Sequence, residues 1–199
     1  MIFKNLKNEI KLDELFRFDK ETNSYIIDIF VDHYEALYST LDFSPFKNRD
    51  LDDELIVYLE DSIEDIPFKY NLLLNINMPQ NIYDQAKETR GRKDIKHYFL
   101  YLHKKKKKEI YGIYKIAMGS FISGILFIFA VSIIKKYISV THLAWEIVIE
   151  GFYVGGWVFL WEFFSLLFLD PSKEKSKLKQ YQRVLVSKIS YTYHNNNRR

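Results

Sequence analysis

The sequence predicts an α+β cytoplasmic domain of β-β-α-β order, joined by a helical stalk to a two-helix transmembrane hairpin. Three observations carry this. Residues 116–134 form a run of nineteen residues without a charge, and at about 1.5 Å rise per residue such a run crosses a bilayer core of about 30 Å. A second apolar segment, 144–169, follows after only nine residues, too few for a domain, so the two segments pair as an antiparallel hairpin. Charge is also divided: residues 1–103 hold 13 basic and 20 acidic side chains and residues 104–199 hold 16 and 6, so the net +3 conceals −7 followed by +10. The pattern argues against a simple soluble enzyme. Zero Cys excludes disulfides, thiolate metal sites and Cys nucleophiles in this chain.

In chain order, residues 15–18 and 25–31 are apolar, β-favouring runs around a polar 19–24, the pattern of a β-hairpin. Residues 32–41 read as a short helix or irregular chain. A firm helix follows: Asp50, Asp52, Asp53 and Glu54 stand at its start, Leu51, Leu55, Leu59 and Ile63 recur at steps of four, and Pro67 ends it. The acidic cluster is explained more economically by capping of this helix than by a divalent cation. Residues 70–77 then make a buried strand, which completes a three-stranded sheet and a cytoplasmic domain over 1–80.

Residues 81–115 are expected to form a basic helical stalk. Ile95, Tyr98, Phe99 and Leu102 follow the helical i, i+3, i+4, i+7 spacing. Within 87–115, eleven Lys or Arg stand against Glu88, Asp94 and Glu109. Lys104, Lys105, Lys106, Lys107 and Lys108, helped by Arg90 and Arg92, are the candidate ligand-binding residues. Two readings stay open for this run: contact with anionic lipid, which also fixes topology, or capture of a phosphate-rich ligand. In the second, ammonium groups beside Tyr98, Phe99 and Tyr101 offer charge and stacking for single-stranded nucleic acid.

The two spans, 116–134 and 144–169, are flanked by Lys at 104–108 and 115 before them, and by Lys173, Lys175, Lys177, Lys179, Arg183 and Lys188 after them. Only Lys135 and Lys136 lie in the connection, so the positive-inside rule puts both termini in the cytoplasm and makes 170–199 a basic cytoplasmic tail. The second span carries three carboxylates, each costing about 3 kcal/mol at the centre of a bilayer. At 100° per residue Glu146, Glu150, Trp157 and Trp161 share one stripe, and Gly151, Gly155 and Glu162 another. The Gly151/Gly155 pair lets a backbone approach closely, and Ser120 with Gly124 offers a matching surface on the first span. One hairpin cannot enclose a water path, so these pore or interface candidates imply a homo-oligomer. Glu146 is equally explained by the helix dipole and headgroup hydration, Glu162 by a hydrogen bond at a helix interface, and the Trp residues by lipid contact.

No Gly-rich phosphate loop, dinucleotide fingerprint or nucleophile elbow is present, and the five His have no zinc-ligand spacing. The reading assigns no catalytic residues, no metal and no cofactor.

The run Asp42-Phe43-Ser44-Pro45-Phe46-Lys47-Asn48-Arg49-Asp50-Leu51-Asp52 is followed by the helix and a strand ending at Pro79. Further on come Glu150-Gly151, Gly156-Trp157-Val158 and Trp161, then an apolar run ending in Asp170 and a basic helix. Over most of residues 25–193 these features resemble a widespread family of bacterial two-span membrane proteins. In that family the Trp161 position is usually followed by a basic residue, Pro and a Glu, where this chain has Glu162-Phe163-Phe164-Ser165. The architecture is also similar to the membrane effector of the Hailong anti-phage system. That resemblance implies an oligomeric inner-membrane ion channel, held shut by a single-stranded oligodeoxynucleotide from a partner nucleotidyltransferase and released when phage activity removes the ligand.

Overall fold

The computed structural model describes residues 12–40, 50–137, 143–168 and 171–195. The 42–49 part of the first motif, the centre of the connection between the spans and Asp170 lie outside them. The chain divides into two compact units, one made of Met1–His103 with Lys179–Arg199, the other of Lys104–Leu178.

The first unit is built on a mixed sheet. After a helical turn α1 (Leu12–Leu15), strands β1 (Arg17–Asp19) and β2 (Ser24–Phe30) form the expected antiparallel hairpin. Its turn is closed by Asp19, which accepts from Thr22 Oγ1 and the Glu21 amide, and it passes through Asn23 at φ 49°. Asn tolerates this left-handed conformation better than most residues. The 32–41 segment contains a 3₁₀ turn, Tyr34–Leu37, and Tyr38 bridges to Leu51. Helix α2 (Asp53–Asp65) starts where its acidic residues predict: the Asp52 carboxylate accepts from the Glu54 and Leu55 amides, and Leu55, Leu59 and Ile63 face the core. It leads to β3 (Asn71–Pro79), parallel to β2.

A long helix α3 (Gln85–Tyr137), then α4 (Leu143–Phe168) and α5 (Pro171–Val186), separate β3 from a fourth strand, β4 (Lys188–His194), which pairs parallel to β3. The sheet order is β1-β2-β3-β4, four strands in place of the expected three. The expected basic tail is thus a correction: from Lys179 onward it is folded into the first unit. The physical reason lies in the alternation of Ile189, Tyr191 and Tyr193 with Lys188, Ser190, Thr192 and His194, a period of two that suits a half-buried strand.

All three longer helices of this unit serve one sheet face. Tyr25, Ile27, Ile29, Leu72, Leu74, Ile76, Met78 and Ile189 pack with Leu59 and Ile63 of α2, Ile95 and Phe99 of α3, and Tyr181 and Val184 of α5. The opposite face carries a hydrogen-bonded polar row. Arg17 holds Asp28 with two bonds of 2.6 and 2.7 Å, Asn75 and Asn77 donate to Asp28 Oδ1, and Asn75 Oδ1 accepts from Ser190 and Thr192. Burial alone would raise the Asp28 pKa, but the Arg17, Asn75 and Asn77 bonds outweigh it and hold it below the usual carboxylate range. A carboxyl depressed in the folded state stabilises above its unfolded pKa and loses that contribution as pH falls through the folded value. Acid titration of the full chain should therefore show the tyrosine near-ultraviolet signal weakening below about pH 4. Asp28→Asn should lower stability at pH 7 and flatten that acid limb; an unchanged limb would refute the assignment.

Candidate functional site

The second unit takes α3 from Lys104, all of α4, and α5 as far as Leu178. Two of these helices, α3 and α4, are long and apolar enough to cross a membrane. Their contacts run in opposite order along the two helices. Gly124 meets Gly156, Phe121 packs on Phe163 at 5.0 Å between ring centroids, and Ser120 Oγ donates to Glu162 Oε2 at 3.0 Å. Nearer the connection, Lys135 pairs with Glu150 and lies 5.6 Å from the Tyr153 ring.

The close approach uses a different glycine from the one expected. A Cβ on Gly156 would lie 2.7 Å from Ile128 Cγ1, and one on Gly124 would lie 2.9 Å from the Gly156 carbonyl oxygen, whereas Cβ atoms on Gly151 or Gly155 would meet nothing within 4 Å among the described residues. Ser120 and Gly124 are therefore matched by Glu162 and Gly156. Gly124→Leu should wedge the helices apart, at a cost of about 1–3 kcal/mol. All three Trp lie in α4, so their emission reports on this step; an unaltered melting curve read by Trp fluorescence would count against the contact.

Of the pore or interface candidates, Glu162 and Glu150 are thus engaged inside the hairpin. Glu146 is exposed in the first turn of α4, where the helix dipole favours an anion. Trp157 and Trp161 are exposed by 55% and 72%, and Gly151 and Gly155 lie open.

The basic run divides in a way the sequence did not suggest. Lys106 turns inward, with its ammonium 2.7 Å from both Glu109 and Glu174. Those carboxylates hold its pKa above the ordinary lysine value, while Lys106 holds Glu109 below the carboxylate range. Lys104, Lys105, Lys107 and Lys108 are exposed. Because Glu174 belongs to α5, Lys173, Lys175 and Lys177 join the same region, and Lys175 lies 5.4 Å from the Tyr114 ring. Residues 104–115 and 173–178 together carry nine Lys against Glu109 and Glu174, a net charge of +7. We call this the collar.

The other expected contributors are occupied within the first unit. Arg92 donates to Glu88 at 2.5 Å and to the Ile189 carbonyl, and lies over the Tyr191 ring. Arg90 pairs with Asp94 at 3.7 Å. Phe99 is fully buried and Tyr98 packs against the same core, so these two expected stacking partners serve the fold, while Tyr101 is exposed. No metal-binding group of three or more His or carboxylates occurs among the described residues.

Fold and site together define a mixed four-stranded sheet with long helices, two of them long and apolar enough to cross a membrane, and a cationic collar flanking their apolar segments. No family profile, curated protein or solved structure matches the chain.

Proposed function

We propose that the chain is a two-span bacterial inner-membrane protein. Its sheet domain lies in the cytoplasm, and it assembles as a homo-oligomeric ion channel, without enzymatic activity, gated by an anionic cytoplasmic ligand on the collar. A single-stranded oligonucleotide supplied by a partner nucleotidyltransferase is the favoured ligand, and anti-phage defence the setting. The collar is the observation that carries this reading: +7 of charge gathered from both flanks of the hairpin, with Lys104, Lys105, Lys107 and Lys108 exposed. The placement of both ends on one side is supported by the sheet itself, since β3 precedes the hairpin, β4 follows it, and the two strands are hydrogen-bonded neighbours. Repeated around an axis, several collars repel one another unless a polyanion offsets their charge, so bound ligand favours the closed assembly and its removal the open one.

Three experiments test this. Full-length protein in liposomes should pass cations, and a single-stranded oligonucleotide should suppress the flux. Lys105→Gln with Lys108→Gln should weaken oligonucleotide binding and reduce the salt slope by about 1.4. Gly155→Leu places bulk on an open face of α4 and should lower the mass of the detergent-solubilised complex without altering the hairpin.

A membrane-anchored scaffold is the second reading. It is favoured by the pairing of Glu150 with Lys135 and of Glu162 with Ser120, which draws two of the three carboxylates away from a water path. Absence of flux with and without oligonucleotide would put the scaffold in front.

A further inference from the structure

We infer that the collar contains a lysine-tyrosine strip, Lys104, Lys107, Tyr111 and Tyr114 of α3 with Lys175 of α5, and that a single-stranded polynucleotide held by the collar's charge also stacks its bases on this strip. The inference rests on the proposed collar reading and gives Tyr111, Tyr114 and Lys175 a ligand-contact role within it. At 100° per residue, positions 104, 107, 111 and 114 fall within about 80° of one another, so they form one continuous strip of the helix surface. Lys106 is turned away from that strip, held by Glu109 and Glu174. This contact lays α5 alongside α3 and places Lys175 beside Tyr114.

Lys104 and Lys107 are exposed, and Tyr111 exposes 70% of its surface between the charged positions. Cations at both ends of the strip with aromatic faces between them suit a chain that carries phosphates and bases side by side, because each base presents a π-face whatever its identity. A purely electrostatic collar would not need the tyrosine. A membrane-interface belt would use the same residue against headgroups, so the two are separated by probes with and without bases.

The test uses full-length protein in zwitterionic detergent at low salt, with fluorescence anisotropy of a labelled twelve-nucleotide oligodeoxyadenylate and of an abasic phosphodiester chain of equal length. Tyr111→Ala should weaken oligonucleotide binding about tenfold and leave the abasic chain within about twofold, while Tyr111→Phe should bind both as the natural protein does. Lys175→Gln should weaken both probes and lower the salt slope by about 0.7. If Lys105→Gln with Lys108→Gln weakens binding but Tyr111→Ala and Lys175→Gln do not, the strip is refuted and the collar stands. Equal losses for both probes in Tyr111→Ala also refute stacking. A loss confined to phosphatidylserine vesicle binding identifies Tyr111 as an interfacial anchor and overturns the inference. Failure of the natural protein to bind either probe removes the collar reading and the strip together.

Discussion

Replacement of Arg183 by alanine should destabilise the sheet domain by about 3 kcal/mol, because one guanidinium serves several main-chain acceptors at once. It donates to the Ile66 carbonyl at 2.8 Å, to Tyr70 at 2.9 Å, to Pro67 at 3.2 Å and, more weakly, to Ile63 at 3.4 Å. These carbonyls belong to the C-terminal end of α2 and the turn into β3, a place where helical geometry leaves acceptors without partners. The guanidinium also stacks over Phe68, 5.2 Å from its ring centroid. Burial lowers the Arg183 pKa, yet arginine stays charged at any working pH, so its removal takes away a desolvated cation together with its bonds. Lysine offers a point charge in place of a planar fork and should recover less than half of the loss. With about 2–4 °C of melting temperature per kcal/mol at this chain length, Arg183→Ala should melt about 6–12 °C lower by near-ultraviolet dichroism. A shift under about 2 °C would show that water replaces the guanidinium at little cost.

Arg183 also shows where sequence reasoning reaches and where it stops. The helix it caps was legible: Asp52 at the start, leucines at steps of four and Pro67 at the end are local signals, and each acts within a few residues of where it is written. The two long apolar helices were legible for the same reason, since a run long and apolar enough for a bilayer needs no partner to be recognised. What Arg183 does was not, because its acceptors lie 113 to 120 positions away in the chain. Strand β4 carries a plain alternation, yet the Lys and Arg on either side of it read equally as topology signals, and only its pairing with β3 shows it to be a strand.

In the candidate site the same limit applies. Three glycines, at 151, 155 and 156, offer close approach, and only the position of Gly124 and Ile128 on the other helix selects Gly156. Five consecutive lysines are equivalent in sequence until Glu174 arrives from α5 and takes Lys106 out of the set. Conversely, Arg90 and Arg92 look like extra ligand cations until Asp94, Glu88 and β4 claim them.

The second large effect is expected at Gly91, in α3 where it crosses β4, and its sign depends on one oxygen atom. Alanine in place of an interior helical glycine ordinarily stabilises by about 1 kcal/mol. Here a Cβ would fall far inside contact distance of the Tyr191 hydroxyl oxygen. That oxygen has little room to retreat: it is buried without a hydrogen-bond partner among the described residues, and Arg92 lies over the ring. The helix is also fixed locally, through Glu88, whose carboxylate accepts from Tyr193, which in turn lies 2.6 Å from the Tyr34 hydroxyl. Gly91→Ala should therefore cost about 2 kcal/mol. Tyr191→Phe alone should be close to neutral, because it deletes a buried hydroxyl that bonds to nothing described. In the Tyr191→Phe background the nearest remaining neighbours of the new Cβ are Leu37 Cδ1 and the ring carbon Cζ, both at 3.6 Å, an ordinary contact. The helix preference for alanine then reappears, and Gly91→Ala should stabilise that background by up to about 1 kcal/mol. A double-mutant cycle read by thermal melting of the full chain should thus give a coupling of about 2–3 kcal/mol with a change of sign for the same substitution. Additive effects would mean that the helix shifts to accommodate the methyl group, and that Gly91 is not required for the contact with β4.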